Sequence, residues 1–189
     1  EVKKNALFDF LREMEFNRLL SQAISFYGED ETKNEKTDSI QKKISKINTS
    51  LYKNIIKEKD LDKLITTLNE KSIISVDTET TSLNPLEAEL VGVSFSHAAN
   101  EACYIPLSHK KIKNLKKDLV IKKIKPILED PSIKKIGQNI KFDFIVFYKN
   151  GVNLNSIEDT MLMSYVLDAG KNRHNMDTLS ELHLNHKTI

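Results

Sequence analysis

Two acidic residues, Asp77 and Glu79, follow an apolar stretch and stand two positions apart. Residues 72–80 have the sequence SIISVDTET, whose β-branched residues predict a buried strand. Because side chains alternate along a strand, both carboxylates leave its end on one face. Neighbouring carboxylates raise each other's pKa unless a cation lies between them, and Mg²⁺ and Mn²⁺ prefer oxygen ligands. The motif alone is also typical of an acidic turn after a strand, so its meaning depends on the rest of the chain.

A third acid, Asp143, is expected on the apolar face of a helix. Residues 133–139 predict a short strand, and residues 140–149 predict a helix that Asn139 caps and Gly151 stops. A carboxylate on the apolar face of that helix is costly unless it is paired or binds a metal. Asn139 and Asp143 are four residues apart, so they share a face.

The composition describes a globular protein without a strong charge bias. The chain has 189 residues, enough for one medium domain and an appendage, of which 39% are hydrophobic and 30% are charged. Its net charge of +2 gives no global preference for nucleic acid, so any basic surface must be local. The single cysteine, Cys103, excludes an intrachain disulfide and a cysteine-based metal cluster. No apolar run has membrane-spanning length and no signal peptide pattern is present, which favours a cytoplasmic protein with no membrane partner. Because the first residue is Glu1, we expect a piece of a longer protein.

The order of predicted elements indicates an α/β domain that follows an N-terminal appendage. Residues 1–27 predict a helical segment, residues 28–49 a flexible linker or a polar helix in their second half, and residues 50–189 the folded domain. Within that domain we expect an edge strand at 52–56, a helix at 59–69, the central strand at 72–80, strands at 90–95 and 102–107, a helix ending at Leu128 that Asp118 caps, a strand at 133–139, a helix at 140–149, a short strand at Ile157, a helix at 160–167 that Asp159 caps, and a helix at 177–184. This order predicts a mixed sheet with an antiparallel hairpin edge, flanked by helices.

Eight lysines lie between residues 110 and 125. They form either a patch that contacts phosphates or the solvated face of a loop and helix in a lysine-rich protein, and we favour the second interpretation.

Six ordered stretches of the chain resemble the 3′→5′ proofreading exonuclease domain of bacterial DNA polymerase I, in the family A polymerases. They are DTETTSL at 77–83, LVGVSFS at 90–96, YIPLSH at 104–109, PILEDPSIKKIGQNIKFD at 126–143, EDTMLMSYVL at 158–167 and RHNMDTLSELHLNHKTI at 173–189. The resemblance implies a ribonuclease H-like fold and membership of the DEDD exonucleases. The segment ALFDFLREMEF also resembles the connector that follows the 5′ nuclease part of that polymerase.

The resemblance assigns two divalent metal ions, Mg²⁺ or Mn²⁺, to the three acids. Asp77 is expected to bridge both metals, and Glu79 to hold the first metal and orient the attacking water. Asp143 is expected to support the second metal through water. Two such ions clamp the attacking and leaving oxygens of a phosphodiester and generate hydroxide.

The resemblance also implies a set of DNA-binding residues. Gln138 and Asn139 are expected to contact the terminal nucleotides of a single strand, Leu83 to wedge against the last base, and Phe142 to stack beside the scissile phosphate. Thr80 and Arg173 are expected to touch the DNA backbone. Phe142 stands where the family often has Tyr and lacks its hydroxyl. For Leu83 and Phe142, ordinary core packing is the competing interpretation.

One departure from the family pattern concerns a fourth acid, in a Tyr-x-x-x-Asp motif on a later helix. Residue 169, four positions after Tyr165, is alanine, and Asp168 stands one position too early. A His-x-x-x-x-Asp variant is also absent from the sequence. In the family this motif lies beyond the HKTI segment, so we expect a truncated domain with weak metal binding and very low activity.

The expected function is removal of 3′-terminal nucleotides from single-stranded or frayed DNA in replication and repair. The expected partners are a single-stranded 3′ end and the polymerase domain of the same parent chain, in a monomeric, nucleoid-associated fragment. One alternative is a non-catalytic structural or single-strand-binding domain. Another is a stand-alone RNA-trimming nuclease, which the polymerase-like flanks disfavour.

Overall fold

The computed structural model describes residues 2–28 and 48–188, which belong to two compact units, Glu1–Lys43 and Ile44–Ile189. The first unit contains helices α1 (Lys4–Glu13) and α2 (Asn17–Tyr27), which pack on each other. Phe8 and Leu11 are the buried residues of α1. Two helices therefore lie within the predicted helical segment of residues 1–27, whereas most of the predicted linker lies outside the described residues.

The second unit is a six-stranded sheet with helices. Its strands are β1 (Lys53–Asn54), β2 (Ile73–Thr80), β3 (Leu90–Ala98), β4 (Glu101–Pro106), β5 (Lys134–Gly137) and β6 (Ile157–Asp159). Its helices are α3 (Glu58–Asn69), α4 (Lys117–Glu129), α5 (Ile140–Lys149), α6 (Thr160–Asp168) and α7 (Met176–Leu184), with a 3₁₀ turn at Thr49–Leu51. Each element expected from residue 50 onward is present, with ends that differ by a few residues.

The sheet is mixed and has the order β1-β4-β3-β2-β5-β6. β2, β3 and β4 are antiparallel neighbours, whereas β5 pairs parallel with β2 and β6 parallel with β5. The predicted hairpin beside the central strand is confirmed, and the two-residue β1 pairs parallel with its outer strand. β2 therefore lies inside the sheet, where neighbours on both sides fix its position.

The core forms on one face of the sheet because the strands alternate there. Ile74 and Val76 of β2 are buried while their neighbours in sequence are exposed. Leu61, Leu64 and Leu68 form the buried stripe of α3, at the spacing of a helix that covers a sheet. The strand that carries Asp77 and Glu79 is thus anchored by its opposite face.

The cap predicted for α4 is wrong. Asp118 lies in the first turn of the helix, and the N-cap position belongs to Lys116, with no side-chain cap. Pro126 lies inside the helix, which continues to Glu129, one residue past the predicted end at Leu128. At the end of α4, the buried ammonium of Lys135 donates to the carbonyl oxygens of Ile127 and Asp130 at 3.4 and 2.7 Å.

Candidate active site

The carboxyl-terminal end of β2 presents Asp77 and Glu79 on the face opposite the core. In the ladder with β3, Asp77 stands opposite Ser94 and Glu79 opposite Gly92. The register shifts immediately after Glu79, between Glu79 and Thr80. Such an irregularity redirects a strand end and the side chains that follow it. The predicted common face of the two acids follows directly from this pairing.

The third acid, Asp143, approaches β2 from α5. It belongs to the buried stripe of that helix and is 3% exposed. One carboxylate oxygen, Oδ1, accepts from the backbone N–H of Thr78 at 2.9 Å and from its hydroxyl at 2.6 Å. Burial raises the pKa of Asp143, and the two bonds from Thr78 oppose that increase. Thr78 therefore fixes α5 against the strand and satisfies one oxygen, while the other stays available to a ligand.

The surroundings of Asp77 disfavour its ionised form. Partial burial, then the nearby carboxylates of Asp143 and Glu79, raise its pKa from 3.8 to about 6. A pKa raised in this way indicates that negative charge accumulates at this place. The donor set is all oxygen, which fits Mg²⁺ or Mn²⁺.

The three carboxylates nevertheless do not form a closed metal centre. Within residues 2–28 and 48–188, no group of three His, Cys, Asp or Glu side chains has an arrangement that could hold one ion. A metal at this place therefore remains a prediction.

Asn139 does not cap α5 with its side chain, contrary to the sequence prediction. Its backbone is left-handed, with φ of 55°, and its side chain makes no cap bond. Asp159 instead accepts from the N–H groups of Asn139 and Ile140 at 3.0 and 3.1 Å. It also caps α6, as predicted, by accepting from the N–H of Met161 at 2.9 Å. The side chain of Asn139 is thereby left for other contacts at the edge of the cleft.

A cleft of about 420 Å³ brings most of the predicted site residues together. Its lining includes the three acids and Thr80, Leu83, Gln138, Asn139 and Phe142. Leu83 is 96% exposed at this cleft, so the core-packing interpretation of Leu83 is wrong. Phe142 is half-buried, lines the cleft and also packs against the core, so both of its interpretations apply in part. Arg173 is exposed and does not belong to the lining residues.

Gln138 lies in the cleft with much of its amide already bonded. Its Nε2 donates to the carbonyl oxygen of His174 at 2.8 Å, and its Oε1 accepts from the hydroxyl of Thr160. These bonds connect the start of α5 to α6 and to the segment before α7. Any ligand contact of Gln138 must use its remaining N–H or its remaining lone pair.

A larger groove of about 790 Å³ runs along α5 and α6, but its chemistry is different. Its lining is mainly apolar and includes Leu162, Val166 and Leu167, of which Val166 and Leu167 are among the most exposed apolar residues of the protein. Asp159 also lies there, but its carboxylate is occupied by backbone N–H groups. The acids that could perform chemistry are in the smaller cleft.

Sequence reasoning missed Thr78 and the second role of Asp159. Thr78 stands between the two acids of the DTE motif, and strand alternation alone places it on the opposite face, toward the helices. That alternation is a usable signal for Thr78. No local sequence pattern predicts that Asp159 accepts from Asn139, twenty positions earlier, because that contact arises from the pairing of β5 with β6.

The sequence from residue 52 to residue 189 matches the profile of a family described as 3′-5′ exonuclease. The chain belongs to the 3′-5′ exonuclease family of DNA polymerase I. The family predicted from the ordered motifs is thereby confirmed, and the family is one of hydrolases that cleave nucleic acid.

This exonuclease chain is similar to DNA polymerase I of several bacteria. It is 35% identical over 195 residues to DNA polymerase I of Pseudomonas aeruginosa, with 100% of this chain and 21% of that protein covered. It is 38% identical over 152 residues to DNA polymerase I of Rhizobium leguminosarum, with 68% of this chain and 15% of that protein covered. The chain therefore spans about a fifth or less of the curated relatives, in which the exonuclease domain is one part of a larger polymerase.

Solved structures support the fold of this exonuclease family member. The EXO domain of Aedes aegypti Nibbler superposes with a TM-score of 0.61 at 13% identity, covering 76% of this chain and 73% of that chain. Brucella melitensis NrnC with bound Mg²⁺ superposes with a TM-score of 0.54 at 22% identity, covering 73% of this chain and 62% of that chain. The ribonuclease H-like exonuclease fold, with its mixed sheet flanked by helices, is confirmed. No helix in the part of the chain that the structure describes is long and apolar enough to cross a membrane.

Proposed function

We propose that this domain removes 3′-terminal nucleotides from single-stranded or frayed DNA, as the proofreading part of a DNA polymerase I in replication and repair. One observation carries the proposal. The carboxylates of Asp77, Glu79 and Asp143 line the same cleft as the fully exposed Leu83 and the aromatic ring of Phe142. Acids for phosphodiester hydrolysis and apolar groups for an unpaired base are thus available at one place.

The cation that this chemistry needs is a divalent metal, Mg²⁺ or Mn²⁺, at two positions in the cleft. Asp77 would contribute to both positions, with Glu79 at one and Asp143, through a water molecule, at the other. Bound there, the metals would lower the pKa of water and stabilise charge on the phosphoryl group. The raised pKa of Asp77 supports this assignment, because a nearby cation would relieve the cause of the increase. Brucella melitensis NrnC, which has the same fold, binds Mg²⁺ in its solved structure.

The DNA end would enter past Leu83. The Leu83 side chain is almost fully exposed, so contact with a base would remove apolar surface from water, which is favourable. Phe142 would lie against the sugar or base by packing alone, since it has no hydroxyl. Stacking of this kind tolerates every base, which suits an enzyme that must remove any terminal nucleotide. Thr80, Gln138 and Asn139 would contact the terminal nucleotides from the cleft walls, and Arg173 would reach the DNA backbone only from outside the cleft.

We further propose that the described residues alone give a weak enzyme. Asp168, the acid that falls next to the expected fourth position, forms an ion pair with Lys171 and does not line the cleft. Among the described residues the cleft therefore offers three carboxylates and no fourth. A complete set of ligands would come from elsewhere in the parent protein, whose polymerase domain is the proposed partner in the same chain. Since the curated relatives are bacterial polymerases, the proposed place of action is the cytoplasmic nucleoid.

The test is release of mononucleotides from a 3′-labelled single strand in Mn²⁺, with this chain and the full-length parent polymerase compared. We expect the parent to release nucleotides and this chain to be slower by a factor on the order of 100. Asp77→Ala in the parent should abolish release, whereas the matched change Asp168→Ala, outside the cleft, should leave it intact. Equal activity of Asp77→Ala and the unchanged parent would refute the assignment of the site.

A non-catalytic role is the second candidate, and one observation favours it. No three acidic or histidine side chains in the described part of the chain are arranged to hold one ion. If neither the chain nor the parent releases nucleotides, binding of a fluorescent single strand becomes the deciding measurement. Loss of that binding in Leu83→Ala would then support a domain that holds a single strand without cleaving it.

A further inference from the structure

A tyrosine two strands away lies on the same face of the sheet as the acids. Tyr104 of β4 stands opposite Ser94 of β3, which in turn stands opposite Asp77 of β2. Residues directly opposite each other on paired strands point to one face. Tyr104 therefore belongs to the face that carries Asp77 and Glu79.

Gly92 lets the phenol of Tyr104 lean toward Glu79. Gly92 is the residue of β3 opposite Glu79. A Cβ atom built on Gly92 would lie 2.0 Å from the Tyr104 hydroxyl oxygen and 2.3 Å from the carbon that bears it. The hydroxyl thus occupies the place where a side chain at position 92 would begin. Opposed Cβ atoms in an antiparallel pair are about 4.5–5.5 Å apart, so a hydroxyl at that place is within reach of the Glu79 carboxylate.

A histidine holds the same hydroxyl from the other side. The Nε2 atom of His109 makes a short hydrogen bond with the Tyr104 hydroxyl, and the two rings meet edge to face with centroids 5.5 Å apart. The backbone of His109 is fixed in turn by the side chain of Asn114, which accepts from its N–H and donates to its carbonyl oxygen, both at 2.8 Å. The phenol is therefore placed by two residues of the segment that follows β4.

We propose that Tyr104, held by His109 and admitted by Gly92, is a positioning residue that donates a hydrogen bond to Glu79 and directs its carboxylate into the cleft. This inference rests on the proposed exonuclease function. In the proposed arrangement Nε2–H of His109 donates to the phenol oxygen, which leaves the phenol O–H for Glu79. A phenol-to-carboxylate bond is charge-assisted and orients the acceptor, as groups behind a metal ligand generally do.

The competing explanation is that Tyr104 only fills the space above Gly92. Tyr104→Phe separates the two explanations, because it keeps the ring over Gly92 and removes only the hydroxyl. A space-filling role predicts an unchanged site in this variant. A positioning role predicts a change that depends on the carboxylate of Glu79.

The first measurement detects the contact itself, in the chain labelled with 3-fluorotyrosine and without metal. The resonance that Tyr104→Phe removes is that of Tyr104. We expect it to shift in His109→Gln and in Glu79→Gln, and to stay in place in the matched change Glu70→Gln, at the end of α3. An unmoved Tyr104 resonance in Glu79→Gln would overturn the proposal.

The second measurement is the Mn²⁺ dissociation constant, from water-proton relaxation. Tyr104→Phe should raise it about tenfold when Glu79 is present and should have no further effect in Glu79→Gln. An equal effect in both backgrounds, or none in either, would overturn the proposal. A chain that binds no Mn²⁺ would refute the metal assignment of the proposed function, and the fluorine resonance would still decide whether Tyr104 contacts Glu79.

Discussion

Replacing Asp77 by asparagine should stabilise the metal-free protein at neutral and alkaline pH. Burial and the carboxylates of Asp143 and Glu79 raise the pKa of Asp77 from 3.8 to about 6. The folded state therefore binds this proton more tightly than the unfolded state does. The associated stability is fully present below pH 3.8 and is lost as the pH rises through about 6. Asparagine has nearly the same shape and never ionises, so it avoids that loss.

The size of the effect follows from the pKa and from the exposure of the side chain. The full difference corresponds to about 3 kcal/mol at 1.36 kcal/mol for each pH unit. More than a third of Asp77 is exposed, however, and solvent screening reduces such electrostatic costs. We therefore expect Asp77→Asn to gain about 1 kcal/mol at pH 8 and close to nothing at pH 4. Within the described residues Asp77 makes no hydrogen bond that asparagine would lose.

The assay is urea unfolding of both proteins in EDTA at pH 4, 6 and 8. The midpoint of Asp77→Asn should exceed that of the unchanged chain at pH 8, and the two midpoints should converge at pH 4. Asp168→Asn, whose side chain lies outside the cleft, is the matched control and should show no such pH dependence. If Asp77→Asn is neutral or destabilising at pH 8, the three carboxylates do not repel one another as the geometry requires.

Three further substitutions test contacts that hold the site in place. Asp159→Ala should lower the free energy of unfolding, measured in urea, by about 2–3 kcal/mol, because it removes the acceptor at the starts of both α5 and α6. The control Asp168→Ala, which breaks an exposed ion pair, should cost less than about 1 kcal/mol. Equal losses in the two variants would contradict the role of Asp159 at both helix starts. Lys135→Met should cost about 2 kcal/mol, because methionine keeps the volume but removes the bonds that the buried ammonium donates to the carbonyl oxygens of Ile127, Asp130 and Ile133. Lys149→Met should speed proteolysis near residues 84–88, because the Lys149 ammonium donates to the carbonyl oxygens of Leu86 and Ala88 at 2.7 and 2.9 Å; an unchanged cleavage rate would show that the loop beside Leu83 is held by other contacts.

Periodicity was sufficient to predict the elements and the shared face of two acids. The alternation of β2 and the apolar stripe of α5 are local properties of the sequence, and local properties place Asp77, Glu79 and Asp143 on their elements. The approach of Asp143 to β2 depends on tertiary structure, through its hydrogen bonds with Thr78. The sequence contains the residue, but only the docking of α5 on β2 turns it into a donor to Asp143.

The failed predictions have the same physical origin. Asn139 has the right residue type and position for an N-cap, but its backbone is left-handed and its side chain makes no cap bond. Asp159 instead bonds the N–H groups of Asn139 and Ile140 from the neighbouring strand end. Lysine is normally a surface residue, but Lys135 occupies a strand position that faces the core. There its ammonium donates hydrogen bonds to carbonyl oxygens at the end of α4. Contacts between residues far apart in the sequence cannot be predicted from the spacing of residue types, because they depend on which strands become neighbours.

Asp159 also has a consequence for how the domain opens locally. The carboxylate of Asp159 accepts from N–H groups at the starts of both α5 and α6. Local unfolding of one helix end therefore weakens the hydrogen bonds of the other. Amide protons at the two ends should therefore exchange with solvent in one cooperative event and not independently. Helix α6, which lines the apolar groove, and helix α5, which carries Asp143, therefore open together. Binding or a substitution that loosens α6 will also loosen the position of Asp143 in the cleft, although it touches no residue of the cleft.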